Sequence, residues 1–253
     1  MKDYIKELLE SCVIAFSTYS RIPMPKVGWD EGNMKYTMCF FPLIGLVTGC
    51  LEWIWYALCV RFGMVTGLRA AVMTAIPILV TGGIHMDGLL DTCDALSSHK
   101  DRDRMLEIMD DSRCGAFAVI WGGLYLLVSY GLFAQMPFER MPQLLLIFVI
   151  SRSLSGIALV TFEKAKDSGM LKTFSDAAMN HTVAVVLTCE CACAAVLMIL
   201  FSPAGGIAAI VLALFSFAVY KKGSAKLFGG ITGDLAGAFL ELCELAMTAG
   251  ILI

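Results

Sequence analysis

Apolar runs long enough to cross a bilayer decide what this chain can become. They fall at about residues 38–60, 68–84, 116–136, 142–162, 182–201, 205–220 and 235–253. The hydrocarbon core of a membrane takes a helix of about 20 apolar residues. A 58% apolar content and a mean hydropathy of +0.76 place the whole chain in the membrane class. The fold expected is therefore all-α. It is a polytopic integral membrane protein of about seven transmembrane helices plus amphipathic interfacial helices, in a single domain over residues 1–253.

Shorter amphipathic stretches lie between the runs. Leu8, Leu9, Cys12, Val13 and Phe16 make an apolar stripe at helical spacing beside Lys6, Glu7 and Glu10, and Arg21-Ile22-Pro23-Met24-Pro25 ends it. Further on, Asp103, Glu107, Asp110 and Asp111 share one helical arc, and Met105, Leu106, Ile108 and Met109 the other. The N-terminus carries Lys2, Asp3, Lys6 and Glu7 with no apolar segment directly behind them, which reads against a cleavable signal peptide. Most of the ten cysteines sit inside apolar runs, where they act as small hydrophobes, so no disulfide framework is expected. A net charge of -3 gives no nucleic-acid signal.

The basic residues orient the chain. With the N-terminus inside, Arg61, Arg69 and Arg140 are the only lysines or arginines in outside loops. Arg152 falls mid-span, and the other fifteen of the 19 lie inside. This puts residues 81–115, 163–181 and 229–234 together on the cytoplasmic face of a cell membrane.

Those segments hold the polar chemistry. Asp87, Asp91 and Asp94, at i, i+4 and i+7, lie within roughly 60° of one another on a helix. Such a triad is either a solvated acidic face or the carboxylate set of a hard cation, with Mg²⁺ the simplest candidate. The preceding Gly82-Gly83 break and the neighbouring His85 and Gly88 favour a site. His85 is either a proton acceptor or a core residue. Arg113, beside Ser112, suits bidentate phosphate contact or pairs with Asp110 or Asp111. Arg152, in the middle of an apolar run, needs a carboxylate or a substrate anion, and Glu52 is a second charge at membrane depth. Gly229, Gly230, Thr232 and Gly233 form a turn whose backbone amides can approach an anion. The helix that follows carries Asp234, Glu241 and Glu244. Two acidic helices opening on one side, with basic and glycine-rich neighbours, suit metal-assisted phosphoryl transfer.

TGGIHMDGLLDTCDAL, DRMLEIMDDSRCGAFAV and GGITGDLAGAFLELCEL, with SRIPMP and FPLIGL near the N-terminus, resemble the cobalamin synthase family over nearly the full chain. One departure is visible: Asp234 is followed here by Leu-Ala-Gly-Ala, where the family commonly has Leu-Gly-Ala. The resemblance implies the late step of cobalamin nucleotide-loop assembly in a bacterial or archaeal cell membrane. Adenosylcobinamide-GDP and α-ribazole, or its 5′-phosphate, would give adenosylcobalamin, or its phosphate, and GMP. It also implies a Mg²⁺ requirement. Asp87, Asp91, Asp94 and Asp234 would be metal ligands, and one of these carboxylates or His85 would take the proton of an attacking ribazole 5′-hydroxyl. Arg113 and Ser112, Arg152, Gly230, Thr232 and Gly233 would bind substrate. Partners beyond the substrates would be the bilayer and either further copies of the chain or other cobalamin-assembly enzymes. Two other readings fit the same residues: another Mg²⁺-dependent intramembrane phospho- or prenyl-transferase, and a membrane transporter using Glu52, Arg152, Glu241 and Glu244 as relay groups.

Overall fold

The computed structural model describes residues 2–253, and these form helices only. In chain order they are α1 (Lys2–Tyr19), α2 (Glu31–Met34), α3 (Phe41–Phe62), α4 (Thr66–Thr81), α5 (Ile84–Ser97), α6 (Arg102–Met109), α7 (Ala116–Gln135), α8 (Met141–Thr161), α9 (Met170–Ala177), α10 (Asn180–Phe201), α11 (Pro203–Phe228) and α12 (Gly233–Ile251). Among the described residues the single strand-like pairing is one parallel bridge, Lys164 to Ile231.

The chain is a multi-pass membrane protein. Five segments are long and apolar enough to cross a bilayer: α3 with the turns before it, α7, α8, α10 and α11. Their outer faces expose large apolar side chains such as Leu127, Leu200 and Phe215, a cost in water that lipid removes. The α4–α5 pair, bent by 96°, makes a sixth if counted as one span. The sequence reading of about seven spans also included α12. That helix carries Asp234, Glu241 and Glu244 and lies among α5, α8 and α11, with most of its residues buried.

Helix α8 is the axis of the bundle, flanked by α3, α10 and α12. Small residues set its approach to α3. A Cβ on Gly49 would lie 2.5 Å from the Cα of Leu145, and one on Gly45 would strike the carbonyl oxygen of Phe148. Helix α6 buries Met105 and Met109 in the main core cluster, against α5 and α11, so its apolar face meets protein.

The bend before the acidic helix is made by backbone conformation. Gly82 and Gly83 both sit in the left-handed region, at φ 67° and 83°. Gly83 has nothing within 4 Å of a built Cβ, so its penalty for a side chain is conformational alone. Gly83→Ala is expected to cost about 1–2 kcal/mol, read as a lowered unfolding midpoint in detergent.

Candidate active site

Two glycines bring the acidic helices into backbone contact. A Cβ on Gly88 of α5 would lie 2.7 Å from the carbonyl oxygen of Asp234 and 2.8 Å from its Cα. On α12, a Cβ on Gly237 would lie 2.9 Å from the carbonyl oxygen of His85. Only hydrogen fits at either position. The start of α12 therefore rests against the first turns of α5, and Asp234 comes beside Asp87 and Asp91.

Asp91 is the centre of this group. The charges of Asp87, Asp234 and Asp94 all bear on it. Asp234 is in the first turn of α12, where the helix dipole favours a negative charge. Thr232 caps that helix, its hydroxyl oxygen accepting from the Leu235 N–H at 3.2 Å. Among the described residues no three carboxylate, imidazole or thiolate groups are arranged to hold a metal ion unaided. The donor set still suits Mg²⁺, which keeps several waters and needs only one or two carboxylates besides substrate phosphates.

Asp94 has different partners from its neighbours. Its two oxygens accept from the backbone N–H groups of Gly115, at 2.6 Å, and Ala118, at 2.9 Å. These are N–H groups of the sort that the start of α7 leaves unpaired, so Asp94 fastens α7 to α5. Asp94→Ala is expected to cost about 1–2 kcal/mol of stability. In contrast to Asp91→Asn, it should leave measurable turnover. Complete loss in a folded Asp94→Ala protein would return it to the ligand set.

Three cavities meet at the acidic cluster. The central one, about 210 Å³, is lined by Asp87, Asp234, His85, Tyr19, Ser155 and apolar side chains. On the Asp87 side lies a polar cavity of about 600 Å³ that includes Arg21, Ser17 and Thr81. Arg21 packs over Gly82 and, among the described residues, has no ion-pair partner. On the Asp234 side lies a third cavity, about 200 Å³, lined by Lys166, Lys172, Ser168 and the turn before α12. Asp87 borders the first two and Asp234 the first and third, so the carboxylates stand where the spaces join.

His85 is buried between Tyr19, at a centroid distance of 6.5 Å, and Phe41, at 5.9 Å, and its Nε2 has no hydrogen-bond partner. It lines the central cavity.

Other residues expected at the site lie elsewhere. Arg113 pairs with Asp111 at 2.6 Å with 86% of its side chain exposed, and neither it nor Ser112 lines the three cavities. Its hydrogen bonds hold the Asp111 carboxyl down at about 2. Arg152 is 1% exposed inside the bundle, where its Nη1 donates to Glu244 Oε1 at 2.7 Å. The Ser151 hydroxyl donates to the same oxygen at 2.7 Å. Glu241 accepts from the Tyr125 hydroxyl. The acidic stripe of α12 thus divides, with Asp234 at the cavities and the two glutamates in the core. Gly230, at φ 154°, is pressed against the backbone of Lys164 and Ala165, and Ile231 donates to Glu163 O at 2.8 Å. The glycine turn is spliced to the 163–165 segment here. Gly233 alone of its glycines faces open space, and it borders two cavities.

Sequence reasoning passed over Lys166 and Lys172 as site residues. Their signal was the basic character of the 163–181 loop, which the charge distribution had already set beside the acidic segment.

The model of the family described as cobalamin-5-phosphate synthase matches residues 11–252. A protein of Lachnoclostridium phytofermentans named adenosylcobinamide-GDP ribazoletransferase is 42% identical over 245 residues, covering 97% of this chain and 94% of its own. Proteins of the same name from Clostridium botulinum strain Alaska E43 and Listeria monocytogenes are 31% and 30% identical, each covering at least 94% of both chains. No solved structure matches the chain.

Proposed function

Since the chain belongs to the cobalamin-5-phosphate synthase family, we propose that it is an adenosylcobinamide-GDP ribazoletransferase. It joins adenosylcobinamide-GDP to α-ribazole 5′-phosphate, or to α-ribazole, and releases GMP. The observation that carries this reading is the contact at Gly88 and Gly237, which gathers carboxylates from two helices at the junction of three cavities.

In the reaction a ribose hydroxyl of the acceptor attacks the phosphorus that bears the cobinamide aminopropanol oxygen. The new P–O bond forms as the bond from that phosphorus to the bridging oxygen breaks, and GMP departs with the bridging oxygen. The expected 5′-hydroxyl nucleophile needs correction for the phosphorylated acceptor. A ribazole esterified at 5′ has no hydroxyl there, so the attacking group is a secondary hydroxyl of the ribose.

One or two of Asp87, Asp91 and Asp234, together with substrate phosphates, would hold Mg²⁺, which when bound would neutralise charge on the diphosphate and the departing phosphate. A carboxylate of the cluster left free of the metal, or His85, which lines the central cavity, takes the hydroxyl proton. Arg21, unpaired and in the cavity on the Asp87 side, binds phosphate oxygens of the donor. The apolar wall of Met38, Phe41, Leu159 and Leu240 limits water at the reacting centre. The site faces the cytoplasm, a reading supported by the excess of lysine and arginine in the sequence segments assigned to its side of the membrane.

The test is product analysis with purified protein in detergent, Mg²⁺, adenosylcobinamide-GDP and either acceptor. Equimolar GMP and a cobalamin product, lost when metal is chelated, are expected. Turnover of an isoprenyl diphosphate instead would make the chain a prenyltransferase. Solute flux in proteoliposomes without turnover would make it a transporter.

A further inference from the structure

The lysine-lined cavity beyond Asp234 holds cations that the displacement does not use. Lys166 Nζ lies 2.6 Å from both carboxylate oxygens of Asp110, and Lys172 Nζ lies 2.7 Å from Asp176 Oδ1. Lys164 is close by, its ammonium donating to Phe162 O at 2.8 Å. Burial and the charge of Lys172 lower its pKa. An ammonium has three donors, so each lysine keeps some after meeting its present partner. Pairs that face water this way are weak and exchange readily for a stronger anion. The Ser168 hydroxyl lines the same space.

An in-line displacement sets where each substrate sits. The attacking and leaving oxygens stand on opposite sides of the phosphorus. With the donor's phosphates on the Arg21 side, the acceptor approaches from the Asp234 side, which is where the lysines are. The family description names a 5-phosphate product, and the acceptor that gives such a product carries a phosphate monoester that takes no part in bond making. On the reading of function given above, we infer that the cavity between residues 166–172 and the Thr232–Asp234 turn is the binding site for that phosphate monoester. Lys166 and Lys172 are its cations, and they set the preference for a phosphorylated over a free nucleoside acceptor.

Lys172→Ala, Lys166→Ala and Lys172→Arg test this in the full-length protein in detergent. Donor is saturating, and ribazole 5′-phosphate and ribazole are compared as acceptors. Loss of a charge-assisted hydrogen bond should raise KM for ribazole 5′-phosphate about tenfold or more. The kcat/KM ratio of the two acceptors should fall by a similar factor, and Lys172→Arg should keep most of it. Equal losses with both acceptors, or no change with either, would overturn the inference. Calorimetric binding of ribazole 5′-phosphate separates it from the wider reading. If wild type turns over neither acceptor, the transferase reading fails. The lysine site then stands only if wild type binds the phosphate and Lys172→Ala weakens it, and falls if binding is absent or unchanged.

Discussion

Asp91→Asn is expected to abolish transfer while leaving the protein folded and membrane-embedded. The substitution keeps size and shape and removes one charge. Asp91 is the one carboxylate on which Asp87, Asp94 and Asp234 all act, so its loss relieves repulsion, and folding stability should hold or rise. Catalysis should move the other way. A metal's stabilisation of charge at phosphorus amounts to several kcal/mol, so losing it lowers kcat by about 10³-fold or more. GMP release and the unfolding midpoint, measured on one preparation, check both halves. Near-normal GMP release at saturating Mg²⁺ would remove Asp91 from the site.

Arg152→Met is expected to be among the most damaging single changes in the bundle, for a reason unrelated to substrate. It leaves Glu244 buried without its partner, and breaking such a pair costs about 3–5 kcal/mol. Glu244 has no other ion-pair partner among the described residues, and nearby Glu52, 0% exposed, is a second acid rather than a cation. Arg152→Met combined with Glu244→Gln removes both charges and should recover most of the lost stability. The double variant also decides what Arg152 does. As a core ion pair, its removal leaves the KM for adenosylcobinamide-GDP near wild type. As a phosphate ligand, it would raise that KM in a protein that is again stable.

Much of the fold could be read from the apolar runs. The expected spans at 116–136, 142–162 and 182–201 agree within two residues with α7, α8 and α10, because a run of bilayer length has one regular solution. The run at 205–220 was too short. Helix α11 continues to Phe228 through Lys221, Lys222 and Lys226, since a helix does not stop where its apolar face does. The right-angle turn into α5 was legible as two adjacent glycines, but its direction depends on both being left-handed.

The site was legible as an acidic helix and less so in its division of labour. Spacing of four and seven puts Asp87, Asp91 and Asp94 on one face, and says nothing of what meets that face. The start of α7 arrives at Asp94, the start of α12 at Gly88, and those are long-range contacts. Arg152 was recognised as needing a partner, and Glu244 as an acid at membrane depth. Their pairing needed α8 and α12 side by side. Lys166 and Lys172 lie in a loop with no periodic pattern, and only its closure on Ile231 sets them beside Asp234.

On the proposed function, α5 and α12 supply one metal–diphosphate site between them. Titrating Mn²⁺ into the purified protein in the presence of GDP, followed by electron paramagnetic resonance, tests it most directly. A saturable site that Asp87→Asn and Asp234→Asn each weaken by about tenfold or more is expected, since the two ligands come from different helices. Wild-type Mn²⁺ affinity in folded Asp234→Asn would contradict the claim and leave α5 acting alone.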